Sequence, residues 1–297
     1  MMMIDRIAIL GVGLLGGSLG LALKAGSTAG KIVGFGHRQS SLNLAMEIGA
    51  VDEATLDLAC ALADADLVVL ATPVGLFDHL LEKMAPHLKK GAIVTDVGSA
   101  KQIVVRSARK HLPRNVHFVG AHPMTGSEMR GVEYARADLF AGGLCILTPT
   151  SGPNNALKQV DDFWKKLGMR TTRLTPARHD RIIARVSHLP HAVAGCLITT
   201  LCAGDKEFVG AGFMDTTRIA SGDPKLWRDI FLANAGPIAR ALDATGKKLQ
   251  QFAHQLDKAD ASAIERILTT AKTNRDAIMQ EKLTVSGRDD RLAAGEE

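Results

Sequence analysis

The chain has 297 residues, 46% of them hydrophobic and 23% charged, with 36 Lys and Arg against 31 Asp and Glu. That balance belongs to a globular protein, excludes a fibrous or broadly disordered one, and leaves room for about two domains with cores that need no staples. The four cysteines, Cys60, Cys145, Cys196 and Cys202, form no C-x-x-C pair, which points to buried thiols in a reducing cytosol rather than to disulfides or structural zinc. The N-terminus M-M-M-I-D-R-I-A-I-L meets a charge at once, and no apolar run reaches the length of about 18 residues that a membrane span needs. A cytoplasmic protein without signal peptide or membrane contact is expected. The net charge of +5 is scattered and aromatics make up only 4%, so a nucleic-acid surface is not expected and small anionic ligands are.

Along the first half, short apolar or β-branched runs at residues 7–10, 32–35, 67–71, 92–96, 117–121 and 144–147 alternate with helix-length segments. This predicts a doubly wound parallel α/β sheet of Rossmann type, buried on both faces, with a last strand at 170–174 closing it. Thr175-Pro176 then punctuates the chain, and the pattern beyond it is helical. The boundaries follow: a dinucleotide-binding domain over 1–175, an all-helical domain over 176–285, and a frayed tail over 286–297. One apolar helix is expected over 177–203, kinked by Pro190. Others are expected over 226–255, broken at Gly236-Pro237, and over 260–282, with Asp260 as N-cap. Helices this apolar carry more surface than one small bundle hides, so a homodimer is expected.

After the first strand comes G-V-G-L-L-G-G-S, with Gly11, Gly13 and Gly16 in the G-x-G-x-x-G register, Leu14 and Leu15 between them, and a helix expected to begin near Gly17. A glycine turn between strand and helix presents free backbone N–H groups to a pyrophosphate, which marks a dinucleotide site. At the end of the second strand, where NAD enzymes carry an acid for the ribose 2′-hydroxyl, the chain reads Gly36-His37-Arg38-Gln39-Ser40. Arg38, with His37 and Ser40, suits a 2′-phosphate, so NADP is expected, with NAD possible. Thr72-Pro73 follows the apolar strand at 67–71, at the edge where the nicotinamide half lies.

Two more strand ends bring polar residues to that edge, in D-V-G-S-A-K at 96–101 and G-A-H-P-M-T-G-S-E at 120–128. A parallel sheet places the imidazole of His122 near the nicotinamide, where Ser99 from the preceding strand can orient it. In the helical part, His188 and His191 lack a carboxylate or cysteine at ligand spacing, so no metal is expected. Trp227 reads as a core residue. Arg218, in a segment that reads as buried, calls for an anionic partner.

These segments, with S-H-L-P-H at 187–191 and D-T-T-R-I-A-S-G-D-P-K-L-W-R-D at 215–229, resemble the prephenate and arogenate dehydrogenases of tyrosine biosynthesis, from Ile7 to about Lys282. The resemblance implies a Rossmann domain followed by a helical dimerisation domain. It implies oxidative decarboxylation of prephenate, or of arogenate, with NAD(P)+. His122 and Ser99 would then be catalytic, and His191, Arg218, Glu128 and the adjoining Ser127 would bind substrate. The imidazole of His122 and the guanidinium of Arg218 would meet over one nicotinamide face. A different Rossmann dehydrogenase with a helical domain and a non-catalytic dinucleotide sensor are the competing readings; the first calls for a helix-borne lysine, which 177–203 lacks.

Overall fold

The computed structural model describes residues 4–27, 30–126, 129–150 and 154–293. The chain runs β1 (Arg6–Leu10), α1 (Leu14–Ala25), β2 (Lys31–Phe35), α2 (Gln39–Glu47), β3 (Glu53–Thr55), α3 (Leu58–Leu62), β4 (Leu67–Leu70), α4 (Phe77–Met84), β5 (Ile93–Asp96), α5 (Gln102–His111), β6 (His117–Pro123), β7 (Leu144–Pro149), α6 (Asn154–Lys166) and β8 (Arg170–Arg173). The helices α7 (Pro176–Ile183), α8 (Leu189–Ile198), α9 (Ala211–Thr217), α10 (Pro224–Ala233), α11 (Ala235–Asp257) and α12 (Ala261–Ala293) follow. One eight-stranded sheet has the order β3-β2-β1-β4-β5-β6-β7-β8. Its reversal between β1 and β4 is the switch point at which open α/β sheets bind ligands.

The period of two along the strands builds a core on each face. Ile7 and Ile9 of β1 join Leu19 and Leu23 of α1 and Trp164 of α6. Ala8 and Leu10 join Phe77 and Leu81 of α4 and Val104 of α5 on the other face. Each strand therefore reads as a nearly continuous apolar run, as a doubly covered sheet requires.

Three local expectations are corrected and one strand is added. The sheet is not parallel throughout, because β7 pairs antiparallel to β6, His122 opposite Ile146; among the described residues the link between them carries no crossover α-helix that would return the chain to the other edge. The strand β3, only Glu-Ala-Thr and partly exposed, has no apolar run to announce it. Helix α1 begins at Leu14, with Gly13 as its N-cap, not near Gly17. Of the cysteines only Cys145 is buried, while Cys60, Cys196 and Cys202 are exposed.

The helical half also differs in detail. The expected helix over 177–203 is α7 and α8 joined by a wide π-type turn at Ala184–His188. Pro190 has no N–H to give the carbonyl four residues back, and the widened turn absorbs that missing bond. Helix α8 stops at Ile198, where the hydroxyls of Thr199 and Thr200 donate to the carbonyls of Cys196 and Leu197. The break between α10 and α11 falls at Asn234, whose amide donates to the carbonyl of Asp180. Pro237 sits in the first turn of α11, where a missing N–H costs nothing. The carboxylate of Asp260 accepts from Ala263 N–H and caps α12 as expected. That helix continues to Ala293, beyond residue 286, where a frayed tail was expected.

The chain clusters into two compact units, residues 1–238 and 239–297. The first extends past Thr175 because α7 is bonded into the sheet layer: Asp180 accepts the N–H groups of Lys101 and Gln102. The second unit carries exposed apolar side chains along its helices, among them Leu249, Leu256, Leu268 and Ile278. Among the described residues no helix is long and apolar enough to cross a membrane.

Candidate active site

Strand ends build the site. The turns after β1, β4, β5 and β6 converge on one cleft of about 370 Å³, walled by Gly13, Leu14 and Leu15, by Thr72 and Pro73, by Gly98 and Ser99, and by His122 and Pro123. The loop residues Met129, Arg130 and Gly131 and the α10 residues Leu226 and Ile230 also line it. Sequence reasoning named seven of these positions, from Gly13 to His122, because a strand pattern followed by a polar loop betrays a sheet edge.

The glycine turn has the form its motif requires. Gly11 has φ +106°, and a Cβ there would lie 2.8 Å from the backbone of Ala71 and Thr72; a Cβ on Gly16 would lie 2.0 Å from the carbonyl oxygen of Gly11. Side chains at either position would push the turn off the sheet. At Gly13, by contrast, a Cβ would meet nothing within 4 Å, so a ligand can approach the backbone. Helix α1 has no side-chain cap and no acid in its first turn, which leaves its N–H groups and dipole to an anion. The hydroxyl of Thr72 is buried without a partner. An open backbone, an uncapped helix and an orphaned hydroxyl along one cleft fit a bound dinucleotide. His37, Arg38 and Ser40 lie exposed at the end of β2 and the start of α2, beside the turn, since Gly11 N–H donates to the carbonyl of Phe35. Among the described residues Arg38 has no ion-pair partner.

His122 sits at the end of β6, 9% exposed. Its Nδ1 lies 2.9 Å from Nε2 of His179, and His179 Nδ1 lies 2.8 Å from the carboxylate of Asp180. Asp180 also accepts two backbone N–H groups, from Lys101 and Gln102. Burial opposes its charge, but the hydrogen bonds from His179 and these amides hold its carboxyl below the usual carboxylate range. An ionised Asp180 accepts a hydrogen bond from His179 Nδ1–H, which leaves His179 Nε2 as an acceptor and in turn places the proton of His122 on Nδ1. The unprotonated nitrogen of His122 is then Nε2, the one left to act on a ligand.

Burial, with His179, Lys101 and His188 nearby, pushes His122 well below its ordinary pKa. It is a neutral base at physiological pH. The expectation that Ser99 orients His122 is corrected: the hydrogen-bonding partner is His179, from α7, while Ser99 lines the cleft beside it. His179 and Asp180 escaped sequence reasoning because they lie 57 and 58 residues away, in the stretch expected to be one apolar helix. Their one signal, an adjacent His-Asp pair, is too short to stand out.

Beneath the cleft, Lys101 and Asp96 form a fully buried ion pair. Lys101 Nζ also donates to the carbonyl of Ala121. The Asp96 carboxylate accepts N–H groups from Gly98 and Ala121. Burial drives Asp96 up and Lys101 down, against which each group stands as the other's main support. The pair ties the Ser99 loop to the strand that carries His122.

The helical residues are placed differently. His191 is buried and stacked on Trp227, ring centroids 3.5 Å apart and 14° between planes; neither ring is part of the cleft lining. His188 is fully buried, its Nδ1 3.1 Å from the Asn234 amide nitrogen, and burial lowers its pKa to about 4. Arg218 is exposed in a short turn after α9, correcting the expectation of a buried segment, and it does not line the cleft with His122. Ser127 and Glu128 lie outside the described residues. Among the described residues no three His, Cys, Asp or Glu side chains are grouped to hold a metal ion.

Comparison with known proteins agrees with this architecture. Residues 19–173 match the family described as prephenate dehydrogenase, nucleotide-binding domain, and residues 175–270 match prephenate dehydrogenase, dimerization domain. A prephenate dehydrogenase of Bacillus subtilis is 34% identical over 92% of this chain and 76% of its own length. The crystal structure of prephenate dehydrogenase from Aquifex aeolicus, in complex with hydroxyphenyl propionate and NAD+, superposes with a TM-score of 0.87 at 34% identity, over 92% of this chain and 98% of that one. Synechocystis arogenate dehydrogenase superposes with a TM-score of 0.79 at 31% identity, over 92% and 99% of the two chains. With both halves of the chain matched and the glycine turn, cleft and buried imidazole in place, this protein belongs to the prephenate dehydrogenase family.

Proposed function

We propose that the protein is a prephenate dehydrogenase of tyrosine biosynthesis: it oxidatively decarboxylates prephenate to 4-hydroxyphenylpyruvate with NADP+ as preferred cofactor. The observation that carries this reading is the neutral His122 in the cleft, its tautomer set by His179 and Asp180. Arogenate is the second reading, favoured by the likeness to the Synechocystis arogenate dehydrogenase. We take residues 1–175 as the cofactor part and 176–285 as the substrate and dimerisation part of a cytoplasmic homodimer, a partition that the two family matches support.

Gly11, Gly13 and Gly16 shape the turn that receives the pyrophosphate, Leu14 and Leu15 flank it, and Thr72 and Pro73 border the ribose on the nicotinamide side. The nicotinamide ring, when bound, supplies the two-electron acceptor for the hydrogen on the substrate's carbinol carbon. His122 Nε2 takes the proton of the 4-hydroxyl as that hydrogen leaves, and Ser99 hydrogen-bonds the same oxygen. The ring carboxylate then departs as CO2, its bonding pair completes the aromatic ring, and His122 returns the proton to the phenolate oxygen. Burial beside Lys101 disfavours a lasting imidazolium, so the return is downhill. His191, Arg218, Ser127 and Glu128 remain assigned to substrate by resemblance. The catalytic demand is for positioning and one base, worth about 10² to 10⁴ in rate.

The test is reduction of cofactor followed at 340 nm with prephenate and with arogenate, each with NADP+ and NAD+. We expect the highest kcat/KM for prephenate with NADP+. Arg38→Ala should lower the preference for NADP+ over NAD+ by about tenfold or more, since it removes a charge-assisted contact to the 2′-phosphate. No turnover with either substrate overturns the function; an unchanged cofactor preference overturns the role of Arg38.

A further inference from the structure

Within the described lining of the cleft Arg130 is the one Lys or Arg. Its guanidinium forms an ion pair with Asp223, the residue that caps α10 by accepting Leu226 N–H at 2.7 Å. The pair thus joins two segments that both wall the cleft, the loop after β6 and the first turn of α10, where Leu226 lies. The two partners are held unequally. Asp223 keeps the Leu226 N–H, and the positive end of α10, if Arg130 leaves. Arg130 is half-exposed, and an ion pair so close to solvent is weakly held. A cation on an apolar cleft wall, parked on a carboxylate that does not need it, is free to change partner. The same cleft must take an anionic substrate.

We propose that Arg130 is a substrate-binding residue: it leaves Asp223 to form a charge-assisted hydrogen bond with a carboxylate of the substrate in the cleft. This rests on the reading of the protein as a dehydrogenase of a cyclohexadienol dicarboxylate, and it adds a recognition element that neither the motifs nor the family resemblance supplies. Asp223 competes with the substrate for Arg130 and so sets its affinity.

Calorimetric titration of prephenate in the presence of reduced cofactor, which permits no turnover, reads binding alone. Arg130→Ala should weaken prephenate binding about 10- to 100-fold, the scale of a lost charged contact, and raise KM correspondingly with kcat within about threefold. Binding of the reduced cofactor alone should stay within about twofold. Asp223→Asn keeps the helix cap and removes the competing charge, so it should tighten prephenate binding; the double variant should match Arg130→Ala. Weakened cofactor binding with prephenate binding intact would place Arg130 on the cofactor phosphates and overturn the proposal. Unchanged binding of both in Arg130→Ala would make the pair a structural strut, overturning it while leaving the function standing. A wild-type protein that binds no prephenate sinks the functional reading, and this inference with it.

Discussion

With its Nδ1 tied to His179, His122 can present only Nε2 to a bound molecule. The hydrogen bond matters more for which nitrogen carries the lone pair than for stability. His179→Ala should therefore lower kcat by about 10- to 100-fold, less than loss of the base itself, with KM for prephenate little changed. A KM effect without a kcat effect would show His179 to be packing only. The depressed pKa of His122 fixes the sign of the pH dependence. The base is active when unprotonated, so kcat/KM should be flat from about pH 6.5 upward and fall only on further acidification. A rise centred at or above pH 6.5 contradicts the buried environment. His122 and Ser99 were legible in the sequence because each follows an apolar strand. The partner of His122 was not, since a contact across 57 residues leaves no local trace.

At the scale of elements, the β5 and β6 ends are clamped by Asp96 and Lys101, whose burial is complete. Removing one member of such a pair strands the other without a counter-charge. Lys101→Met should destabilise the protein by about 3–5 kcal/mol in urea unfolding; a loss under about 1 kcal/mol would place the pair with ordinary surface bridges. The strands were readable from apolar runs because the sheet is covered on both faces, yet β3 was invisible for want of any apolar residue beyond Ala54. The direction of β7 was also missed. Strand direction depends on where the connection travels, which apolar periodicity does not encode. In the helical half Pro190 announced the irregularity between α7 and α8, whereas Asn234 ended α10 through tertiary bonds to Asp180 and His188 that no local rule registers.

For the molecule as a whole, burial holds His122, His179 and His188 below their ordinary pKa. The unfolded chain accepts protons at these positions that the folded chain refuses, so stability is present above about pH 6.5 and is lost as the pH falls toward the folded values. For His188, a drop from 6.5 to about 4 corresponds to about 3 kcal/mol. The urea midpoint should fall clearly between about pH 7 and pH 5; a flat midpoint would mean that these imidazoles are solvated. The change from strands to helices was readable from the change of period after Thr175, although the compact units divide only after Ile238. How α7 closes on the sheet layer was not, because it rests on Asp180 reaching the amides of Lys101 and Gln102 at the start of α5. The central claim is that one buried imidazole performs the proton transfer in a cleft made by four strand ends. The most direct test is a single-turnover trace at 340 nm with prephenate and NADP+, comparing wild type with His122→Ala at saturating cofactor. The account predicts a rate about 10² to 10⁴ lower in the variant, with cofactor affinity kept. Equal rates in the two proteins would contradict it.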